Sequence, residues 1–248
     1  MVRELEYGHL TPAEASIFRE YYEEAGLLSR HKVAFFRRHF CETFFRASRF
    51  LLARRDRPHI LDLGCGTGSQ AIYLALLGAR ITGVDMDGPA LEIFRKRKAL
   101  YERLSGKQLD IELVERSAFD IDYASFAPID GVYSMFAFNM MQPSADLFAA
   151  LLPALAADAR IAIIDGNNAS WLPLLVPSRR RSVWSPKEFA AQLTSQGFKV
   201  HEHQGGISLP PPFWLVSPPA MKLLDTALNK HWFFPISHQI LAEGHSRC

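Results

Sequence analysis

The chain has 248 residues, 48% hydrophobic and 22% charged, with 15 glycines, 15 prolines and a formal net charge of +2 at pH 7. These values exclude a disordered, collagen-like or low-complexity chain, and they leave room for one large domain or two small ones whose core needs no staples. Three widely separated cysteines, Cys41, Cys65 and Cys248, argue against a disulfide framework or zinc site and for a reducing, cytoplasmic compartment.

The first residues, Met1 to Glu6, show no apolar signal-peptide core. Thr11-Pro12-Ala13-Glu14 predicts a helix start, with Thr11 as cap and Pro12 in the first turn; Gly26 marks its end. Val33, Phe36, Phe40, Phe44, Ala47 and Leu51 recur at three and four and predict a second helix over about 30–53. Residues 1–56 are thus expected to be an N-terminal helical cap on a domain spanning 57–248. From there strands and helices alternate. Strands are predicted at 59–63, 80–84, 111–114, 131–135, 160–164, 198–201 and 236–243. Helices are predicted at 69–77, 89–104, 146–155 and 185–196. That alternation predicts an α/β fold with a doubly wound, mostly parallel sheet covered on both faces. Residues 206–235, with Pro210-Pro211-Pro212-Phe213-Trp214 and His231-Trp232-Phe233-Phe234-Pro235, read as a lid-like insertion before the last strand. The prolines also rule out a clean membrane-spanning helix in the long uncharged stretch around 203–221.

The chemistry concentrates in Asp62-Leu63-Gly64-Cys65-Gly66-Thr67-Gly68, between a strand and a helix. Glycines there let the backbone approach a ligand closely, and the following helix aims free N–H groups at it. Asp85 closes the next strand, where a doubly wound sheet presents an acid to a ribose. A dinucleotide fingerprint would need a third glycine where Ser69 stands, and Asp62 would repel a pyrophosphate yet suit a cation.

The run from Ile60 to Gly68, followed by Gly83-Val84-Asp85-Met86-Asp87, resembles the first two motifs of class I, Rossmann-like S-adenosylmethionine (SAM)-dependent methyltransferases. The resemblance implies a seven-stranded sheet with an antiparallel last strand and SAM as cofactor. It implies that the loop of Asp62, Gly64, Cys65, Gly66 and Gly68 cradles the methionine part. Asp85 would hold the ribose beside Met86, with Ser117, Ala118 and Phe119 at the adenine and Ser134 ending the fourth strand. Ser117 stands where the family commonly has an acid. Cys65 reads as a small filler rather than a nucleophile.

The family implies direct methyl transfer, for which the protein supplies alignment and water exclusion. No Asn/Asp-Pro-Pro-aromatic motif follows the fourth strand and no Pro-Cys dipeptide occurs, which argues against nucleic-acid amino and cytosine C5 chemistry. Ser134 occupies a position where catechol-type enzymes need a Mg²⁺ ligand, so no metal is expected and Asp165 reads as a cap or substrate contact. The expected acceptor is a small, apolar or aromatic molecule carrying an O or N nucleophile, with Asn139, Asp165, Trp171 and His231 as substrate-pocket candidates. The basic segment 30–57 leaves RNA or a membrane surface as a rival partner, though its phenylalanine stripe packs more simply on the domain. An NAD-type oxidoreductase and a non-catalytic methyltransferase-like binding protein are the alternatives in other classes.

Overall fold

The computed structural model describes residues 10–24, 41–166, 185–207, 220, 223 and 237–244. Helix α1 is Pro12–Glu24 and α2 is Cys41–Leu52. Thr11 and Glu14 cap α1 reciprocally: Thr11 N–H donates to Glu14 Oε2 at 2.7 Å and Glu14 N–H to Thr11 Oγ1 at 3.2 Å. The first part of the expected second helix, residues 30–40, lies outside the described residues.

Strand β1, His59–Leu63, is buried along its whole length. It is followed by α3 (Ser69–Leu76), β2 (Arg80–Asp85), α4 (Gly88–Ser105), β3 (Ile111–Glu115) and β4 (Ile129–Met135). Then come α5 (Ser144–Leu151), β5 (Leu155–Gly166), α6 (Pro186–Ser195), β6 (Phe198–Ile207) and β7 (Ser237–Gly244). The helix expected to run to Leu155 stops at Leu151. A single 3₁₀ turn, Leu152–Ala154, follows, because Pro153 lacks the N–H that would continue the α pattern. Released early, β5 is longer than its apolar centre suggested.

The seven strands form one sheet in the order β3-β2-β1-β4-β5-β7-β6, with β7 antiparallel to both neighbours and the other pairs parallel. The chain winds outward from β1 in one direction and resumes from β4 in the other. That reversal opens a crevice at the carboxyl ends of β1 and β4, where this architecture binds ligands. Alternating side chains feed two cores. Leu61, Leu63, Val132 and Ile163 pack with Phe148 of α5 and Phe189 and Leu193 of α6. Ile60, Ile81, Tyr133 and Leu241 pack with Leu51 of α2, Leu74 of α3 and Phe94 of α4. Apart from Gly206, Ile207, Ala220 and Leu223, the 206–235 insertion lies outside the described residues. Among the described residues no helix is long and apolar enough to cross a membrane.

Candidate functional site

The loop between β1 and α3 turns on glycines at positive φ, 72° at Gly64 and 74° at Gly68. Both also touch neighbours too closely for a side chain. A Cβ on Gly64 would stand 2.2 Å from Ala137 Cβ, and one on Gly68 would stand 2.4 Å from the Phe94 ring. Gly66, by contrast, faces open space. The loop is tied to β2: Gly64 N–H and Cys65 N–H both donate to Val84 O, at 2.8 and 3.1 Å. Asp85 completes the tie, accepting from Gly66 N–H at 2.7 Å and from Asp87 N–H at 3.0 Å, one on each carboxylate oxygen. Each oxygen keeps acceptor capacity for a second donor.

Beneath the loop lies Asp62, 2% exposed, with Oδ2 buried and lacking a hydrogen-bond partner among the described residues. Burial, aided by the nearby charge of Asp85, pushes its carboxyl up to about 8. An orphaned buried carboxyl oxygen next to an open glycine loop suits a cationic group, which would favour the ionised form. Cys65 is buried with Sγ 3.0 Å from where a Gly83 Cβ would stand, and burial drives its thiol well above the ordinary value. It is a packed, inert filler.

A cleft of about 150 Å³ opens beside the loop. The ends of β1 and β2 contribute Gly64, Val84, Asp85 and Met86; the turn after β3 contributes Arg116, Ser117, Ala118 and Phe119; the turn after β4 contributes Ala137, Met140 and Met141. Ser117 Oγ caps the first of these turns by accepting from Phe119 N–H at 3.3 Å. Ala118 is fixed from behind, its carbonyl taken by Tyr123 O–H at 2.5 Å. Of the residues expected at the cofactor, Gly64, Asp85, Met86, Ser117, Ala118 and Phe119 line this cleft. Asp62, Cys65, Gly66 and Gly68 are not among its lining residues; they belong to the end of β1 and the loop that follows. Ser134 does not reach it: its hydroxyl is buried and donates to Leu63 O at 2.8 Å, joining β4 to β1.

Among the acceptor-side candidates, Asp165 is buried and caps the 3₁₀ turn Phe138–Met140, accepting from Asn139 N–H at 2.8 Å. Asn139 Oδ1 is buried without a hydrogen-bond partner among the described residues. Trp171 and His231 lie outside the described residues. Sequence reasoning missed Phe136 and Met140. Phe136 has φ 54°, a left-handed conformation costly for an aromatic residue, and is 43% exposed at the end of β4. Met140 is 73% exposed and Met86 77%, an apolar rim around the cleft. Nothing in the residue type of Phe136 announces positive φ, and the sequence offers no signal for it. Among the described residues no three His, Cys, Asp or Glu side chains group closely enough to hold a metal ion.

Residues 60–158 match a family model described as a methyltransferase domain. With the strand order, the loop and the two acids in place, the chain carries a methyltransferase domain on a class I Rossmann-like fold, with SAM as the cofactor. Its relatives differ in acceptor. The ubiquinone biosynthesis O-methyltransferase of Idiomarina loihiensis is 28% identical over 187 residues, 74% of this chain and 69% of that protein. The cypemycin N-terminal methyltransferase of a Streptomyces species is 36% identical over 70 residues, 28% of this chain and 25% of that protein. A solved plantazolicin methyltransferase bound to S-adenosylhomocysteine (SAH) has a TM-score of 0.57 at 18% identity, covering 94% of this chain and 91% of that one. Magnesium protoporphyrin IX methyltransferase from Synechocystis PCC 6803, also with SAH, has a TM-score of 0.58 at 14% identity, covering 82% of each chain. These structural likenesses extend the fold across the described sheet. The methyltransferase match sets aside the oxidoreductase alternative.

Proposed function

We propose that the enzyme methylates an O or N atom of a small, apolar or aromatic acceptor, and does so mainly by aligning it and excluding water. When bound, SAM supplies an electrophilic methyl carbon on a sulfonium. The chain's own residues then have separate tasks. Asp85 accepts from the ribose hydroxyls, and Ser117, Ala118 and Phe119 meet the adenine. The Gly64–Gly68 loop accommodates the methionine part while Asp62 faces its cationic group. Phe136 and Met140, at the end of β4, form the acceptor side. Ser134 is reassigned to structure, since its hydroxyl is committed to Leu63 O. Asp165 acts through the turn it caps rather than by holding a proton for the reaction.

The observation that carries this reading lies after β4: Phe136 and Met140 are large apolar side chains left exposed at the carboxyl end of the sheet, apart from the residues assigned to the cofactor. Exposed apolar groups gathered in one place mark a surface that a ligand covers. Among the relatives, one name is an O-methyltransferase and another an N-terminal methyltransferase, and the proposal keeps both O and N as accepting atoms.

The test uses SAM labelled in its methyl group, incubated with purified enzyme and a cell extract divided into organic-soluble, protein and RNA fractions. Label is expected in the organic-soluble fraction, in a product of small mass. Label confined to protein or RNA would overturn the acceptor class.

A further inference from the structure

We propose that Arg97 is a positioning residue that holds the glycine loop in its cofactor-binding shape. Arg97 lies on α4, outside the cleft, and is 2% exposed. Its Nη1 donates to Thr67 O at 2.5 Å, to Ser69 Oγ at 2.9 Å and to Thr67 Oγ1 at 3.3 Å. A guanidinium is costly to bury unless good geometry compensates, and here the loop supplies three of the acceptors. A segment with three glycines at positive φ has the most backbone freedom to lose on ordering. An external tie offsets that loss.

The helix that carries this tie also carries the rest of the frame. Phe94, one turn before Arg97 on the same face, fills the space that a Cβ on Gly68 would need. Asp87 caps α4 by accepting from Ala90 N–H at 3.1 Å, and its own N–H donates to Asp85 Oδ1. The ribose acid and the glycine loop are therefore fastened to one helix, so their spacing is set by α4. Ser69, the residue that breaks the dinucleotide pattern, supplies one of the acceptors. A glycine there would remove it.

This inference rests on the reading that the loop and Asp85 hold the cofactor, and the experiment separates the two. SAH affinity is measured by calorimetry on the full chain for wild type, Arg97→Met, Arg97→Lys, Ser69→Ala and Asp85→Ala, with hydrogen exchange followed in the same proteins. Arg97→Met is expected to raise the SAH Kd at least tenfold and to speed exchange at residues 64–70, while amides in the central strands keep their protection. Arg97→Lys is expected to recover part of the affinity. An SAH Kd within twofold of wild type, or loosening spread evenly through the sheet, would overturn the positioning role. Should Arg97→Met fail to fold, Ser69→Ala at its exposed position decides: about threefold weaker SAH binding supports the role, and unchanged binding defeats it. If Asp85→Ala binds SAH as wild type does, the site itself is misplaced and the proposal falls with it. If Asp85→Ala weakens binding and Arg97→Met does not, only the proposal fails.

Discussion

At the amino ends of the strands, charged groups find partners. Glu243 on β7 meets Arg54, Arg160 and His201, the last at 2.6 Å, and Arg160 also donates to Phe50 O and lies under its ring at 4.7 Å. Arg55 pairs with Asp158 at 2.8 Å and stands 3.0 Å from Asp130. His59 bridges Pro128 O and Thr82 Oγ1, and burial, with the Arg80 charge, holds it below the ordinary imidazole value. At the carboxyl ends the same strands leave things open: the buried oxygen of Asp62 has no hydrogen-bond partner among the described residues, Phe136 sits in a strained conformation, and large apolar side chains face solvent. The first end also holds buried atoms without a hydrogen bond, Asp130 Oδ1 and Arg160 Nε, but these stand inside ion pairs, whereas Asp62 Oδ2 at the other end has no ion pair among the described residues. Polar burial without a partner and backbone strain are costs that a fold keeps where function needs them.

Substitutions can break this contrast in order of size. Gly64→Val places a side chain where Ala137 already stands and where φ is 72°. It is expected to lower stability by about 3–4 kcal/mol in denaturant unfolding and to abolish SAM binding. Gly66→Ala, with open space around it, should cost only about 1–2 kcal/mol from its φ. If the two cost the same, packing is not what shapes the loop.

Asp85→Ala removes an acceptor that serves two backbone donors and, in the proposed reading, the ribose. Cofactor binding should weaken by about 2–4 kcal/mol in a calorimetric titration, beyond the stability lost with the two backbone hydrogen bonds. Equal affinity would move the ribose elsewhere. Glu243→Gln probes the closed end. Burial works to raise the Glu243 pKa, but Arg54, Arg160 and His201 outweigh it and hold it below the usual carboxylate range. Its stabilising contribution is therefore present above that range and lost as pH falls through the lowered value. The substitution should cost about 2–3 kcal/mol of stability and leave SAH affinity within twofold. A change in binding would mean that the two ends communicate.

The smallest effect is a pH dependence at Asp62. Its carboxyl is raised to about 8, first by burial and then by Asp85, so the folded chain keeps a proton that the unfolded chain releases above about 4. Stability from this group falls as pH rises from about 4 to 8 and is level above. Binding of a cation pulls the other way, towards the carboxylate. SAM affinity should rise severalfold per unit between pH 6 and 8, with a proton released on binding, and Asp62→Asn should flatten the profile. Calorimetry in buffers of different ionisation enthalpy reads both. A flat wild-type profile would mean that no cation reaches Asp62.

The readable part of the site was the part made of neighbours in sequence. Strand, acid, glycine loop, helix, strand and second acid follow one another from Ile60 to Asp87, and each step depends on local rules of backbone freedom and hydrogen bonding. Ser117 was placed through the family resemblance alone, and the cap that its hydroxyl makes was seen only in the structure. Arg97 was not: within Arg95-Lys96-Arg97-Lys98 it looks like one more charge on a solvated helix face, and only the packing of α4 on the loop buries it. Ser134 looked available and is occupied, because the β1–β4 pairing puts its hydroxyl beside Leu63 O.

The amino-acid sequence by itself determined the strand and helix succession, the sites of tight turning and the presence of two acids around a glycine loop. Those follow from periodicity and from what glycine, proline and carboxylates do wherever they stand. The tertiary structure alone decided which polar atoms were satisfied and which apolar side chains were left uncovered. Burial and orientation are set by contacts between segments far apart in the chain, and no local pattern carries that information.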